Sequence, residues 1–141
     1  MKIMAVDLGL ARTGLAISDP SETLASPLGT ISERKEDRLL QRVATCAAEQ
    51  GAQAVVVGYP RNMDGSRGES ARRAEAFAQS LEEVSGLPVT LWDERLTTVS
   101  AAGYLNQTNT RGKKRKAVID TVAATIILQD YLESRRRKAG E

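Results

Sequence analysis

The sequence predicts an α/β domain: a mixed five-stranded sheet in the order 3-2-1-4-5, strand 2 antiparallel, with helices on both faces. Three observations predict it. Short strand-like runs crowd the first third of the chain, apolar runs then alternate with helical repeats, and helical periodicity closes the chain. With 141 residues, 41% of them apolar, there is length for one domain, residues 1–141, with a proper core.

Lys2–Asp7 reads as the first strand. The segment "GLARTG" turns it into Thr13–Ser18, and the closely spaced glycines predict an antiparallel hairpin. Asp19 and Pro20 turn the chain again, into a third strand over Thr23–Ile31. Leu39, Leu40, Val43, Ala44, Ala47 and Ala48 repeat at helical spacing up to Gly51, a C-terminal cap. Ala54–Val57, bounded by Gly58 and Pro60, suits a buried central strand. Ala74, Phe77, Ala78, Leu81 and Val84 mark a second helix, stopped by Gly86 and Pro88. Val89–Trp92 is the fifth strand, Thr97 or Thr98 caps a short helix through Leu105, and a last helix runs from about Ala117 to Arg136. The polar, basic stretch 107–116 is expected to be a mobile loop and 137–141 a frayed tail. Right-handed crossovers place strand four beside strand one and strand five beyond it, all three parallel. Their carboxyl ends share one edge, where open α/β sheets bind ligands.

Composition narrows the chemistry. There is no histidine, which removes Ser-His-Asp and Cys-His engines and histidine-bearing zinc sites. Hydrolysis would have to lean on carboxylates with a hard, oxygen-seeking cation. The single cysteine, Cys46, has no internal partner and reads as core filler. No apolar run approaches the ~20 residues of a membrane span. Nor does the N-terminus resemble a cleaved signal, so a cytoplasmic protein with no membrane partner is expected. Charge is unevenly spread: residues 1–110 hold eleven basic against fourteen acidic residues, and residues 111–141 hold nine against four. The excess lies in "RGKKRK" (Arg111–Lys116) and "RRRK" (Arg135–Lys138), clusters that suit either a polyanion or plain solvation.

Asp93 and Glu94 stand side by side where the fifth strand ends, an arrangement that repels unless a cation is brought there. Asp7 ends strand one on the same edge, about two strand spacings (~10 Å) away, and strand four between them ends in Gly58, which leaves a gap. Two carboxylates facing a gap make a seat for a divalent cation. Asp120 lies in line with Ala124, Ile127 and Tyr131 on the sheet-facing stripe of the last helix, where a buried carboxylate needs a partner. Asp7 also fits a turn before Gly9, and Asp120 also fits a helix N-terminus. Of the adjacent pair, Glu94 has the reach; Asp93 is kept as a water-mediated ligand.

"DLGLARTGLAISDP" (Asp7–Pro20), "VVVGYPRNMDGS" (Val55–Ser66), "WDERLTT" (Trp92–Thr98) and "KAVIDTVAA" (Lys116–Ala124) resemble the successive motifs of the YqgF, or RuvX-like, family over essentially the whole chain. The resemblance implies a ribonuclease H-like fold related to Holliday-junction resolvases, and a nuclease that matures the 5′ end of pre-16S ribosomal RNA. It matches Asp7, Glu94 and Asp120 to the family's acidic positions, and Arg12 and Arg95 to its motif arginines. Many members of the wider superfamily carry a carboxylate at the end of strand four; here that place holds Gly58-Tyr59-Pro60, as in the family's own pattern.

The mechanism implied is phosphodiester hydrolysis assisted by one or two Mg²⁺ or Mn²⁺ ions held by the three acids. Arg12 and Arg95 would neutralise phosphate charge, or orient the carboxylates through salt bridges. Asn62, with Asp64, lies in a turn-like loop near the same edge, as a substrate contact or as turn chemistry. Lys113, Lys114, Arg115 and Lys116 would hold a nucleic-acid backbone without reading bases. Tyr59 is the loop aromatic placed to stack on a base. The expected partner is structured RNA, including ribosomal precursor particles, or branched DNA; a resolvase requires a homodimer and an end-trimming ribonuclease works as a monomer. Two rival classes remain: a nucleic-acid-binding module without catalysis, and a small relative of actin-like ATPases, whose phosphate loop also reads D-x-G.

Overall fold

The computed structural model describes the backbone of residues 1–60, 66–94 and 112–139, and within the last stretch the side chains of 122–138. The elements are β1 (Ile3–Leu8), β2 (Arg12–Ser18), β3 (Ala25–Ser32), α1 (Glu36–Glu49), β4 (Ala54–Tyr59), α2 (Glu69–Ser85), β5 (Val89–Asp93) and α3 (Gly112–Ala139). The sheet order is β3-β2-β1-β4-β5, as the sequence predicts. β1 pairs antiparallel with β2, and β1, β4 and β5 run parallel. The short helix expected near Thr97–Leu105 lies outside the described residues.

Strand alternation assigns each apolar residue to one of two layers. Met4, Val6, Leu15, Val55 and Val57 pack under α1 and α2, against Leu39, Val43, Phe77 and Leu81. Ile3, Ala5, Ala16 and Val56 face the other way, against Ala124, Leu128 and Leu132 of α3. The small residues on this second face let α3 approach the sheet closely. Leu128 and Leu132 are fully buried there, each worth about 1.5–3 kcal/mol in burial. None of the described helices is long and apolar enough to cross a membrane.

The last helix differs from the sequence expectation at both ends. Its backbone begins at Gly112, so Lys113–Lys116, expected in a loop, are helical, and it reaches Ala139, into the expected tail. Lysine and arginine are good helix formers, and their propensity outweighs the cost of cations near a helix N-terminus.

Where α3 is anchored determines where it points. The Arg135 Nε donates to Glu22 Oε1 at 2.8 Å, and Gln129 bonds to the Ala25 amide and the Thr23 carbonyl at 3.0 and 3.1 Å. The N-terminal ammonium donates to Pro20 O at 2.7 Å and to Glu22 Oε2 at 3.2 Å. These contacts cluster where β1 begins. Following α3 back toward its N-terminus therefore leads to the opposite edge, where β1, β4 and β5 end.

The β2–β3 turn is held by Asp19, whose carboxylate accepts from Ser21 Oγ at 2.6 Å and from the amides of Thr23 and Leu24 at 2.7 and 3.1 Å. Those bonds, the Ser21 hydroxyl first, lower its pKa to about 2 from the ordinary 3.8. A depressed carboxylate pKa contributes stability that is full above about 3.8 and lost as pH falls through about 2. The urea midpoint of Asp19→Ala is expected to lie below wild type at neutral pH and to converge on it across that window. A gap that stays constant with pH would refute the assignment.

Candidate active site

The edge formed by the C-terminal ends of β1, β4 and β5 is built by register. Val6 pairs with Val57, so Asp7 stands level with Gly58, which itself pairs with Trp92. Side chains at 7, 58, 92 and 94 then share the face covered by α3. The Glu94 carboxyl reaches back over Gly58 and is hydrogen-bonded with Asp7. A Cβ on Gly58 would stand 3.0 Å from Ile127 Cδ1 and 3.2 and 3.3 Å from Glu94 Cδ and Oε1. The missing side chain is what lets helix, strand and carboxylate meet.

Asp93 belongs to the opposite face. It pairs with Tyr59, and both alternate with the layer that packs under α2. Alternation thus separates the two adjacent acids: Glu94 turns toward Asp7 and Asp93 turns away. Their repulsion still registers. Burial raises the Glu94 pKa, the Asp93 charge raises it further, and the hydrogen bond with Asp7 opposes both. Two carboxyls in such contact share a proton or accept a cation between them.

A cleft of about 140 Å³ opens over this pair, lined by Asp7, Gly9, Leu10, Gly58, Arg73 and Glu94, among others. Its all-oxygen donors fit a hard divalent ion such as Mg²⁺ or Mn²⁺. Among the described residues, no group of three or more metal-binding side chains stands together. The third predicted acid, Asp120, lies on α3 one turn before the fully buried Ala124. Helix direction carries its backbone toward the same edge; its side chain is outside the described residues.

Arg12 begins β2 two residues before Gly14, the partner of Asp7, so its Cβ starts on the face of Asp7. Tyr59 is committed elsewhere: its hydroxyl donates to Glu75, which also accepts from Arg67 at 2.8 Å, and the hydrogen bond to Glu75 raises the phenol pKa. Arg95, Asn62 and Asp64 lie outside the described residues, as do the side chains of Lys113, Lys114, Arg115 and Lys116. Sequence reasoning overlooked Arg73 and Ser70 of α2, which line the cleft. A signal was there. Arg73 stands four residues before the buried Phe77, a charge on an apolar stripe, just as Asp120 stands four before Ala124.

A family model described as "RuvX: Holliday junction resolvase" matches residues 1–134. A protein of Lachnospira eligens named "Putative pre-16S rRNA nuclease" is 44% identical over 140 residues, covering 97% of this chain and 100% of that one. A protein of Chloroflexus aurantiacus with the same name is 43% identical over 134 residues, covering 95% and 88%. Among solved structures, Thermus thermophilus RuvC in complex with a Holliday junction substrate aligns with a TM-score of 0.61 at 14% identity, over 96% of each chain. That likeness concerns the fold, which is ribonuclease H-like.

Proposed function

Because this chain belongs to the RuvX family, we propose that it is a metal-dependent endonuclease that hydrolyses phosphodiester bonds, its target being the 5′ end of pre-16S ribosomal RNA in cytoplasmic ribosomal precursor particles. The carrying observation is the Asp7–Glu94 contact over Gly58. The names of the 44% and 43% identical relatives support the choice of RNA.

Asp7 and Glu94 would hold Mg²⁺ or Mn²⁺, with Asp120 as the third ligand from α3. When bound, the metal supplies a water of lowered pKa and charge stabilisation at the phosphate. The chain's own residues do the rest. Asp7 and Glu94 would hold the ion at the gap over Gly58, and α3 closes one side of the site. Arg12 and Arg95 offset phosphate charge as planar forks, Asn62 contacts the strand, and Lys113–Lys116 hold the flanking backbone.

A second reading, cleavage of branched DNA, is favoured by the family description and by the resolvase fold. It requires a homodimer, since two strands must be cut. One assay separates the readings: incubate the protein with Mn²⁺ and either a pre-16S leader RNA or a four-way DNA junction, beside an Asp7→Asn control. Metal-dependent cutting of the RNA, absent from the control, is expected. Cutting confined to the junction moves the assignment to a resolvase. No cutting of either substrate, with binding intact, reduces the protein to a binding module.

A further inference from the structure

The cleft has a charge problem. Two of the groups that line it, Asp7 and Glu94, are acids, yet the substrate is a polyanion. Among the described residues lining it, Arg73 is the one cation. Its guanidinium is held from two sides: Nη1 donates to Gly9 O at 2.7 Å, and Nε and Nη2 donate to Glu36 at 3.0 and 2.7 Å. Those bonds use three of its five N–H donors, leaving one hydrogen on each terminal nitrogen. The hydroxyl of Ser70, one turn earlier on α2, lines the same cleft without a hydrogen-bond partner among the described residues.

We infer that Arg73 and Ser70 form a phosphate subsite on the α2 wall of the cleft, which seats a backbone phosphate beside the scissile one. The inference rests on the nuclease reading above and adds residues to it. Two features argue for a binding role beyond a structural ion pair. The Arg73–Glu36 pair lies at the surface, with the Glu36 side chain 49% exposed, where such pairs contribute little. Glu36 also sits in the first turn of α1, where the helix dipole favours a carboxylate without help from Arg73. Arg73 is therefore free to exchange Glu36 for a phosphate, and the Gly9 carbonyl keeps it aimed while it does. Gly9 in turn packs tightly against the β2 start: a Cβ there would meet the Arg12 carbonyl oxygen at 2.1 Å, so only glycine fits this turn. The subsite is thus tied to the turn that follows Asp7, so a phosphate bound at Arg73 is registered against the acids.

The test is equilibrium binding of a hairpin RNA and of a four-way DNA junction, without divalent ions, across a salt series, so that the readout is independent of cleavage. Each phosphate contact contributes about 0.7–0.9 to the slope of log K against log salt. Arg73→Ala is expected to lower the slope by about that amount, and in the cleavage assay to raise KM more than it lowers kcat. Arg73→Lys should restore the slope. Glu36→Gln should leave the slope alone and tighten binding by about twofold to fivefold, because the competing carboxylate charge is gone. An unchanged slope in a folded Arg73→Ala protein that has lost cleavage overturns the subsite: Arg73 then only braces the Gly9 turn. If that variant does not fold, Glu36→Gln decides, and wild-type affinity overturns the proposal. A lowered slope in a protein that cleaves nothing keeps the subsite and removes the nuclease.

Discussion

Asp7→Asn will lower metal-dependent cleavage by at least about 100-fold and, in chelator, will melt above wild type. A partner of a metal ligand typically costs 10–100-fold when removed, and a ligand itself costs more. The gain in stability follows from the same contact. Burial and the Asp93 charge raise the Glu94 pKa, while the hydrogen bond with Asp7 opposes them. The Asp7–Glu94 hydrogen bond needs a proton held between the two acids, whereas an asparagine amide donates to Glu94 without one. In a chain of this size each kcal/mol is worth about 2–4 °C, and a rise of about 2 °C is expected. Glu94→Gln should behave alike. Thermal melts in chelator and in Mn²⁺ check both halves. A variant that cuts at the wild-type rate, or melts lower in chelator, would show that the two acids are an ordinary structural pair.

Gly58→Ala will cut the rate about tenfold, and Gly58→Val about 100-fold or more, with the fold retained. The alanine Cβ would press on Ile127 Cδ1 at 3.0 Å and on the Glu94 carboxyl at 3.2 Å. Both neighbours are flexible tips, so each yields by a few tenths of an ångström and the strand survives. In a site whose work is positioning, a displacement of 1 Å can cost about 100-fold, and valine fills the gap outright. Backbone entropy favours alanine over glycine within a strand by about 0.5–1 kcal/mol, which offsets the crowding, so the melting temperature should change little. Single-turnover rates beside the melting curves are the measurement. Wild-type turnover by Gly58→Val would mean that the gap over β4 takes no part in catalysis.

The two variants probe features of different legibility. That position 58 lacks a side chain is written in the sequence; that Glu94 and Ile127 converge on it is not. The pair Asp93 and Glu94 shows the same divide. Both acids were evident as a cluster, but which one faces Asp7 depends on the pairing of Tyr59 with Asp93 and Gly58 with Trp92. A strand read one residue differently would have exchanged them. Arg73 went unnoticed because a single charge flanking an apolar helical stripe has an ordinary explanation, a solvated margin. Only the meeting of α2 with the β1–β2 turn reveals the cleft beside it. The early start of α3 has a local reason: a run of basic residues is polar enough to read as a loop, yet lysine and arginine favour helix.

By itself the sequence determined the strand order, the shared edge of β1, β4 and β5, and the residues available to act there. Those follow from hydrophobic periods of two and 3.6 and from the handedness of crossovers, which are properties of short stretches of chain. The tertiary structure alone decided that Glu94 reaches over Gly58 to Asp7, that α3 runs toward that edge, and that Arg73 supplies a positive charge in the cleft. Each depends on register and close packing between segments far apart in the chain, where a shift of one residue or a single added methyl group changes which groups meet.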